Sequence, residues 1–489
     1  MKGVKILHSE MQQLFKIFKK YIDRDYQFIK ETDGYIFPLK DESIDHIPEN
    51  FKNRILECDF KKRHITLKDL LRGELTEEEL NELIASFEII GDVAIIQVSP
   101  KLEQKKFLIA EAVMKINPKI TAVYRKISGR EGEFRIMNVE FLAGYPHTEL
   151  FHKENNCQFL LDFSKCYFSS RLSTERKKVY EELSGKVLVM FSGIGPYAIE
   201  AAKYAAQYVI GIELNPDAHF YALKNKVINN TLNVTFLLGD VRNIVPNLSE
   251  YSTFYINNEI NYGMQCVFLK LKSLKEFEQK RSEIVSFNNT RNLIISLEEE
   301  TIEAIRVFQK EKIPLYVKDK RIIDYFLKNK KTPRIVLLNA NLISNFSNNL
   351  RKNCILEINE EKDLELLKNS FYPYVLLSNE KLGDEICNYN FGTLITKFKV
   401  KYNQFFDYIL MPLPKSAHLF LDLALKVSRS GTIIYLYDFF EPSQVEDERE
   451  KILNIIYSLK RKAEILEIRK AGDYSPGVFR HLIKIKVLD

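Results

Sequence analysis

The sequence predicts an α/β protein built around a parallel sheet, and three observations predict it. Short apolar runs, Val187 to Phe191, Tyr208 to Glu213 and Val234 to Leu238, alternate with helical segments, the usual route to parallel pairing through crossover helices. The first run ends in a turn, Ser192-Gly193-Ile194-Gly195-Pro196, that opens a helix of small residues from Ala198 to Ala206. The rhythm breaks after Gly239-Asp240-Val241-Arg242 and resumes at Phe406 to Met411, so roughly 150 residues, a domain's worth, interrupt the sheet.

Four blocks follow in order. Residues 1–65 read as a small α/β unit, with a helix around Glu10 to Asp23, a strand at Tyr35 to Pro38 and a basic run Lys61-Lys62-Arg63-His64 that is most simply a solvated face. Residues 66–177 hold a strand at Asp92 to Val98, a helix at Lys106 to Lys115 and a strand at Thr121 to Arg125. Residues 178–251 and 403–489 share the interrupted sheet. Its second half adds a helix at Ala417 to Ser428, a strand at Thr432 to Tyr437, a helix at Glu446 to Lys462, and an edge hairpin of Ala463 to Arg469 with Phe479 to Val487. Residues 252–402 are the inserted α/β unit, with strands at Leu293 to Leu297, Pro314 to Val317, Arg334 to Leu338, Ile355 to Ile358 and Tyr374 to Leu377. Helices at Thr301 to Lys312 and Arg321 to Lys328 separate some of them, and the asparagine-rich Asn341 to Asn353 reads as a loop. An insertion ahead of the strand at Phe406 is expected to hang away from the chemistry, to carry no catalysis and to be removable.

The glycine turn points to a nucleoside ligand, because missing side chains let a ligand approach the backbone at a helix start. The second strand ends in Glu213, whose carboxylate can accept both hydroxyls of a ribose. A dinucleotide fingerprint needs a third glycine, and here the turn runs Gly-Ile-Gly-Pro-Tyr-Ala, which favours S-adenosylmethionine in a Rossmann-like fold. Gly239-Asp240 after the third strand completes the set; the plainer reading of Asp240 is a turn residue.

Composition narrows the rest. Hydrophobic residues at 45% and charged residues at 28% describe a folded, soluble chain, and neither an apolar stretch of membrane length nor a signal peptide is present, so a cytoplasmic location is expected. Six scattered cysteines without a CxxC pair argue against zinc or a disulfide framework, and His147, His152 and Cys157 are not spaced as ligands, so no metal is expected. The net charge of +6 is compatible with an RNA partner and equally with plain solubility.

Ordered motifs then extend over nearly everything except the insertion: Asp23-Arg24-Asp25-Tyr26, Gly132-Glu133-Phe134-Arg135, Leu142-Ala143-Gly144, Tyr167-Phe168-Ser169-Ser170-Arg171-Leu172-Ser173-Thr174-Glu175-Arg176, the Met190 to Pro196 turn, Leu214-Asn215-Pro216-Asp217 and Met411-Pro412-Leu413-Pro414-Lys415. In these the chain resembles the archaeal and eukaryotic tRNA guanosine-37 methyltransferases, class I S-adenosylmethionine-dependent enzymes.

N1 of guanine is a weak nucleophile while protonated, so a base must take its proton as the methyl arrives, and charge developing on O6 needs a donor. The resemblance implies Glu175 as that base, Arg135 as the O6 donor and Arg171 steadying the site or a phosphate. It implies Gly193 and Gly195 beside the methionine part of the cofactor, Glu213 at the ribose, Asp240 and Val241 at the adenine, Leu214 also in contact with the cofactor, and Ser169 and Arg176 lining the same pocket. On the substrate side it places Pro412 and Pro414, with Tyr167 or Phe168 able to stack on a base. Without it, Arg135 and Glu175 would read as an ordinary surface ion pair. Three residues depart from the common pattern: Val189 for Asp, Ser170 for Pro, and Pro412 for an Asn whose amide could hold the guanine edge. The Met-Pro-Leu-Pro form resembles an archaeal subgroup that also, or instead, methylates carbon 7 of 4-demethylwyosine, a tricyclic wyosine precursor at the same position. The implied partner is tRNA, its folded corner recognised by residues 1–65 and its anticodon loop by the catalytic part; no membrane partner is implied, and a monomer is expected. Two rival readings remain, an aminocarboxypropyl transferase of the wyosine pathway and a non-catalytic tRNA-binding protein.

Overall fold

The computed structural model describes residues 1–23, 25–61, 65–328, 336–342, 354–400, 402–413, 416–475 and 477–489. Arg24, the end of the basic run at 62–64, most of the asparagine-rich stretch at 343–353, and Pro414 with Lys415 lie outside the described residues.

The chain divides into two compact units. The first comprises Met1–Phe87, Ile96–Arg125 and Phe141–Tyr145. Its amino-terminal part is a four-stranded sheet of β1 (Lys2–Leu7), β2 (Ile29–Lys30), β3 (Gly34–Pro38) and β4 (Ile55–Glu57), ordered β2-β3-β1-β4. The helix Met11–Phe18 packs on it through Phe18, against Val4, Ile6, Phe37 and Leu39. The strand β1 had no sequence signal beyond Val4 and Ile6, two apolar residues that alternate inward.

The second unit comprises Glu88–Ile95, Lys126–Glu140 and Pro146–Asp489. Strands β5 (Glu88–Ile90), β6 (Val93–Ile96), β7 (Ala122–Glu131) and β8 (Ile136–Gly144) run through segments where the chain passes between units, and the β7–β8 turn belongs to the second. A hairpin of β9 (Glu149–Glu154) and β10 (Cys157–Asp162) follows.

The predicted parallel sheet is then formed. It contains β11 (Lys186–Val189), β12 (Tyr208–Glu213), β13 (Val234–Leu238), β22 (Phe406–Met411), β23 (Ser428–Phe440), β24 (Ala463–Ser475) and β25 (Val478–Val487), in the order β13-β12-β11-β22-β23-β25-β24. The first five run parallel, and β25 pairs antiparallel with β23 and β24, so the terminal hairpin supplies one edge as the sequence predicts. Chain direction across the sheet reverses between β11 and β22, and such a switch point leaves a crevice at the carboxyl ends of the strands. Burial explains the apolar runs: Val187, Leu188, Val189, Ile210, Ile409 and Ile434 are fully buried between helices on both faces.

The insertion is a closed barrel of eight parallel strands: β14 (Phe254–Asn257), β15 (Cys266–Leu271), β16 (Asn292–Leu297), β17 (Leu315–Val317), β18 (Val336–Asn339), β19 (Cys354–Ile358), β20 (Tyr374–Leu377) and β21 (Thr393–Thr396). Sequence reading finds five of these; β14, β15 and β21 are runs of only four to six residues. Alternation sorts their side chains. Phe268, Ile294, Tyr316, Leu337, Ile355, Tyr374 and Ile395 fill the lumen in a core continuous with that of the main sheet. Val267, Leu269, Ile295, Val317, Leu338, Leu356 and Leu394 face the surrounding helices.

The expectation that the insertion hangs free is corrected here. The outward backbone groups of β13, an edge strand, are satisfied by side-chain amides of the barrel. Asn292 donates from Nδ2 to the Phe236 carbonyl (2.5 Å) and accepts from the Phe236 N–H at 3.3 Å. Gln265 does the same at Leu238, at 2.8 and 2.6 Å. The Tyr374 hydroxyl donates to the Leu232 carbonyl (2.5 Å), and Lys186 Nζ donates to the Phe391 carbonyl (3.1 Å) and to Gln404 Oε1. Two carboxamides thus stand in for a neighbouring strand, which an unpaired sheet edge requires when it is buried.

Candidate active site

Elements of the second unit meet at the carboxyl ends of β11, β12, β13 and β22 around a cavity of about 280 Å³. Met190, Phe191 and Gly193 come from the turn after β11, Glu213, Leu214 and Asn215 from the end of β12, and Gly239, Asp240 and Val241 from the end of β13. Pro412 and Leu413 follow β22, and Glu133, Phe134 and Arg135 come from the β7–β8 turn, with Tyr167 completing the wall.

The two glycines serve different needs. Gly193 has φ +56, and a Cβ there would meet nothing nearer than the Tyr167 carbonyl oxygen at 3.9 Å, so its backbone is bare toward the cavity. Gly195 does not line the cavity: it has φ +91 and caps the helix Pro196–Tyr204, and a Cβ would sit 2.8 Å from the Phe236 ring. Its contribution is close packing of the turn, a correction to the reading that both glycines face the ligand.

Glu213 is held before any ligand arrives. Its Oε2 accepts the Gly193 N–H at 2.6 Å and its Oε1 accepts the Asn215 N–H at 2.8 Å. Burial raises its pKa while those N–H groups oppose the shift. Each oxygen keeps a free lone pair, enough for two vicinal hydroxyls. Asp240 accepts the Arg242 N–H at 2.8 Å and starts the helix Val241–Ile244, so the turn reading is also true. The Arg242 guanidinium pairs with it and holds its carboxyl below the usual range. Met190, Phe191, Leu214, Val241 and Phe420 supply apolar walls, with Phe191 and Phe420 edge to face at 5.1 Å. Bare backbone, a poised acidic acceptor and an apolar slot fit a nucleoside joined to a charged chain.

Arg135 lines the same cavity. Its φ is +54, uncommon for a side-chain-bearing residue, and its guanidinium carbon lies 5.5 Å from the centroid of the Tyr167 ring. A cation and an aromatic face are therefore presented together at the cavity.

Four other expected residues are placed elsewhere. Glu175 does not line the cavity. It is buried on the helix Ser173–Glu182, where Arg469 of β24 binds it through two hydrogen bonds of 2.5 and 2.9 Å and the Tyr437 hydroxyl donates a third at 2.9 Å. Arg176 is not a pocket residue either: it is 2% exposed, bound to both carboxylate oxygens of Glu154 at 2.7 and 2.5 Å, and it donates to the Ser169 carbonyl at 3.0 Å. Ser169 is thereby a backbone anchor for Arg176, off the cavity. Arg171 is exposed on the turn Ser170–Leu172 and does not reach the cavity. Behind Arg176, the Glu200 carboxyl is wholly buried, and burial beside Glu154 pushes its pKa far up, so it stands as a neutral acid accepting from Asn155. Pro414 lies outside the described residues.

Sequence reasoning missed Arg469, Tyr437 and Phe420. Arg469 and Tyr437 meet Glu175 from strands of the terminal part of the chain, and no local motif marks a pairing nearly 300 residues apart. Among the described residues no group of His, Cys, Asp and Glu could hold a metal, and no helix is long and apolar enough to cross a membrane.

Residues 67–148 match the family described as the TYW2 N-terminal domain, and residues 150–306 match the TRM5/TYW2 methyltransferase domain, which takes in the glycine turn, Glu213 and Asp240. Residues 150–306 are a methyltransferase domain of the TRM5/TYW2 family. That family's S-adenosylmethionine-dependent methyltransferase domain is what the sheet and cavity present. The chain is 36% identical over 194 residues to the tRNA (guanine(37)-N(1))-methyltransferase Trm5b of Pyrococcus abyssi, a match covering 38% of this chain and 58% of that relative's length. It is 25% identical over 404 residues to the tRNA (guanine(37)-N(1))/4-demethylwyosine(37)-methyltransferase Taw22 of Nanoarchaeum equitans, covering 82% of this chain and 99% of that one. The crystal structure of wild-type Trm5b from Pyrococcus abyssi superposes with a TM-score of 0.52 at 21% identity, with 100% of each chain covered, a likeness of fold.

Proposed function

We propose that this chain transfers a methyl group from S-adenosylmethionine to the purine at position 37 of tRNA. The observation that carries the reading is one cavity lined both by a carboxylate, Glu213, suited to a ribose and by a cation, Arg135, suited to a base. When bound, the cofactor supplies its methyl as an electrophile on a sulfonium.

The residues divide the remaining work. Glu213 fixes the ribose, Gly193 leaves room beside the methionine chain, and the apolar slot with Val241 takes the adenine. The target base is splayed out of its loop to enter, as enzymes acting on bases require, with Tyr167 as a stacking face. Arg135 donates to O6 as the N1 proton leaves. Glu175 remains the base that the resemblance implies, and in this geometry it acts only after exchanging Arg469 for the substrate, so proton removal awaits a seated RNA loop. Arg171, exposed beside this segment, meets a phosphate. Residues 1–65 dock the folded corner of the tRNA.

A second reading is favoured by Pro412, which replaces a side-chain amide with an apolar ring on the cavity wall. That wall suits the tricyclic precursor, 4-demethylwyosine, and methylation at its carbon 7, the double specificity in the name of the Nanoarchaeum relative. Incubation with labelled cofactor and two tRNAs, one bearing guanosine 37 and one the precursor, followed by nucleoside mass spectrometry, tests both. One added methyl on either base supports the proposal. An aminocarboxypropyl adduct, or tight cofactor binding without any product, refutes it.

A further inference from the structure

A base turned out of its loop is read along its pairing edge. Guanine shows one acceptor there, O6, and two donors, N1–H and the 2-amino group. In the methyl transfer proposed above, Arg135 meets O6 and a carboxylate takes the N1 proton, so the 2-amino group still needs an acceptor. Pro412 brings no polar side chain to that task. Three other acceptors on the cavity wall are already engaged. Glu213 accepts the Gly193 and Asn215 N–H groups, and Asp240 accepts Arg242 Nε at 2.8 Å. The Asn215 carboxamide accepts the Asp217 N–H at 3.0 Å and donates to the Lys165 carbonyl at 2.8 Å.

Glu133 differs from these. It lines the same cavity, is exposed, and among the described residues forms no hydrogen bond or ion pair. Its charge acts on Arg242, whose guanidinium is nevertheless bound by Asp240. Glu133 and Arg135 belong to one turn between β7 and β8, closed by the Arg135 N–H donating to the Gly132 carbonyl at 3.2 Å. A single turn thus brings a cation and, two residues before it, an uncommitted carboxylate to one cavity.

We propose that Glu133 is a specificity-determining residue that accepts a hydrogen bond from the 2-amino group of the target guanine. This role rests on the methyl transfer proposed above and adds to it the group that reads the far end of the base. Cation and carboxylate together match the O6 acceptor and the 2-amino donor. Adenine fails at both places, since it carries an amino group at carbon 6 and only a C–H at carbon 2. A carboxylate built to hold a donor is left unpaired by an analogue without one, which is how hydrogen-bonding sites discriminate strongly.

Single-turnover methylation of tRNA bearing guanosine or inosine at position 37, with labelled S-adenosylmethionine, tests the role, because inosine keeps O6 and N1–H and lacks only the 2-amino group. The wild type is expected to favour guanosine about tenfold or more, as one hydrogen bond to a charged acceptor provides. Glu133→Ala is expected to bring that ratio close to one by slowing the guanosine substrate, with cofactor affinity unchanged in calorimetry. Glu133→Gln, which keeps an acceptor oxygen, is expected to hold part of the ratio. A guanosine-to-inosine ratio that Glu133→Ala leaves unchanged, including equal slowing of both substrates, overturns the role of Glu133 while methyl transfer stands. No label in guosine-bearing tRNA with the wild type removes methyl transfer to guanine itself and the role of Glu133 with it.

Discussion

Glu213 and Glu175 are both acidic residues near the ends of secondary elements, yet their surroundings give them opposite uses. Glu213 is fixed by two backbone N–H groups and faces the cavity, so Glu213→Ala removes the ribose acceptor and its loss is expected in binding. Two hydrogen bonds to a charged acceptor, at about 1.5–3 kcal/mol each, correspond to a loss of roughly a hundredfold or more in cofactor affinity, measurable by calorimetry. Glu175 is closed off by Arg469 and Tyr437. Arg469→Met leaves that carboxylate buried without its cation and is expected to cost about 3–5 kcal/mol in thermal or denaturant unfolding, most of it recovered in Glu175→Gln/Arg469→Met. Glu175→Gln alone is expected to keep tRNA binding and lose most N1 methylation in single-turnover experiments; an unchanged rate removes Glu175 from the mechanism. The sequence made Glu213 legible because its role follows from a local strand end, whereas the partners of Glu175 and Arg176 come from strands that only the folded sheet brings near.

At the scale of elements, the strand β13 links the two halves of the second unit. Its edge groups at Phe236 and Leu238 depend on Asn292 and Gln265, and the next residues in the chain, Gly239 and Asp240, line the cavity. Asn292→Ala leaves a buried N–H and carbonyl unpaired and is expected to destabilise by about 1–3 kcal/mol, read by chemical denaturation. Lys186 opens a pH-dependent test of the same junction. Burial brings its ammonium from 10.5 down to about 7, below its value in the unfolded chain. A depressed folded value means the unfolded chain binds the extra proton, so this contribution to stability grows as pH rises from 7 toward 10.5 and is lost as pH falls through 7. The stability of wild type relative to Lys186→Met is therefore expected to rise across that interval, and a flat difference contradicts the burial of this lysine. The parallel main-sheet strands were legible because each has a largely apolar centre and is followed by a helical segment. The barrel strands β14, β15 and β21 were not, since runs of four to six residues with polar lumen positions at their ends resemble loops in one dimension.

For the molecule as a whole, an insertion between β13 and β22 would be expected from chain order to be dispensable, and the shared core argues otherwise. Cys266, Phe268, Tyr374 and Ile395 of the barrel join one hydrophobic cluster with Tyr208, Leu232 and Ile210 of the sheet. Replacing about 252–402 by a short linker uncovers that apolar surface and the β13 edge together, and the expected product is aggregated or loses cofactor binding, checked by size-exclusion chromatography and calorimetry. A monomeric, cofactor-binding product shows that the barrel is an independent passenger. The central claim concerns the cavity and its target, and it is met most directly by transfer of labelled methyl from S-adenosylmethionine to tRNA transcripts that carry G or A at position 37, with the wild type and Glu213→Ala compared. The account predicts label in the G37 transcript alone and its loss in the variant; equal labelling of both transcripts, or an unaffected variant, contradicts it.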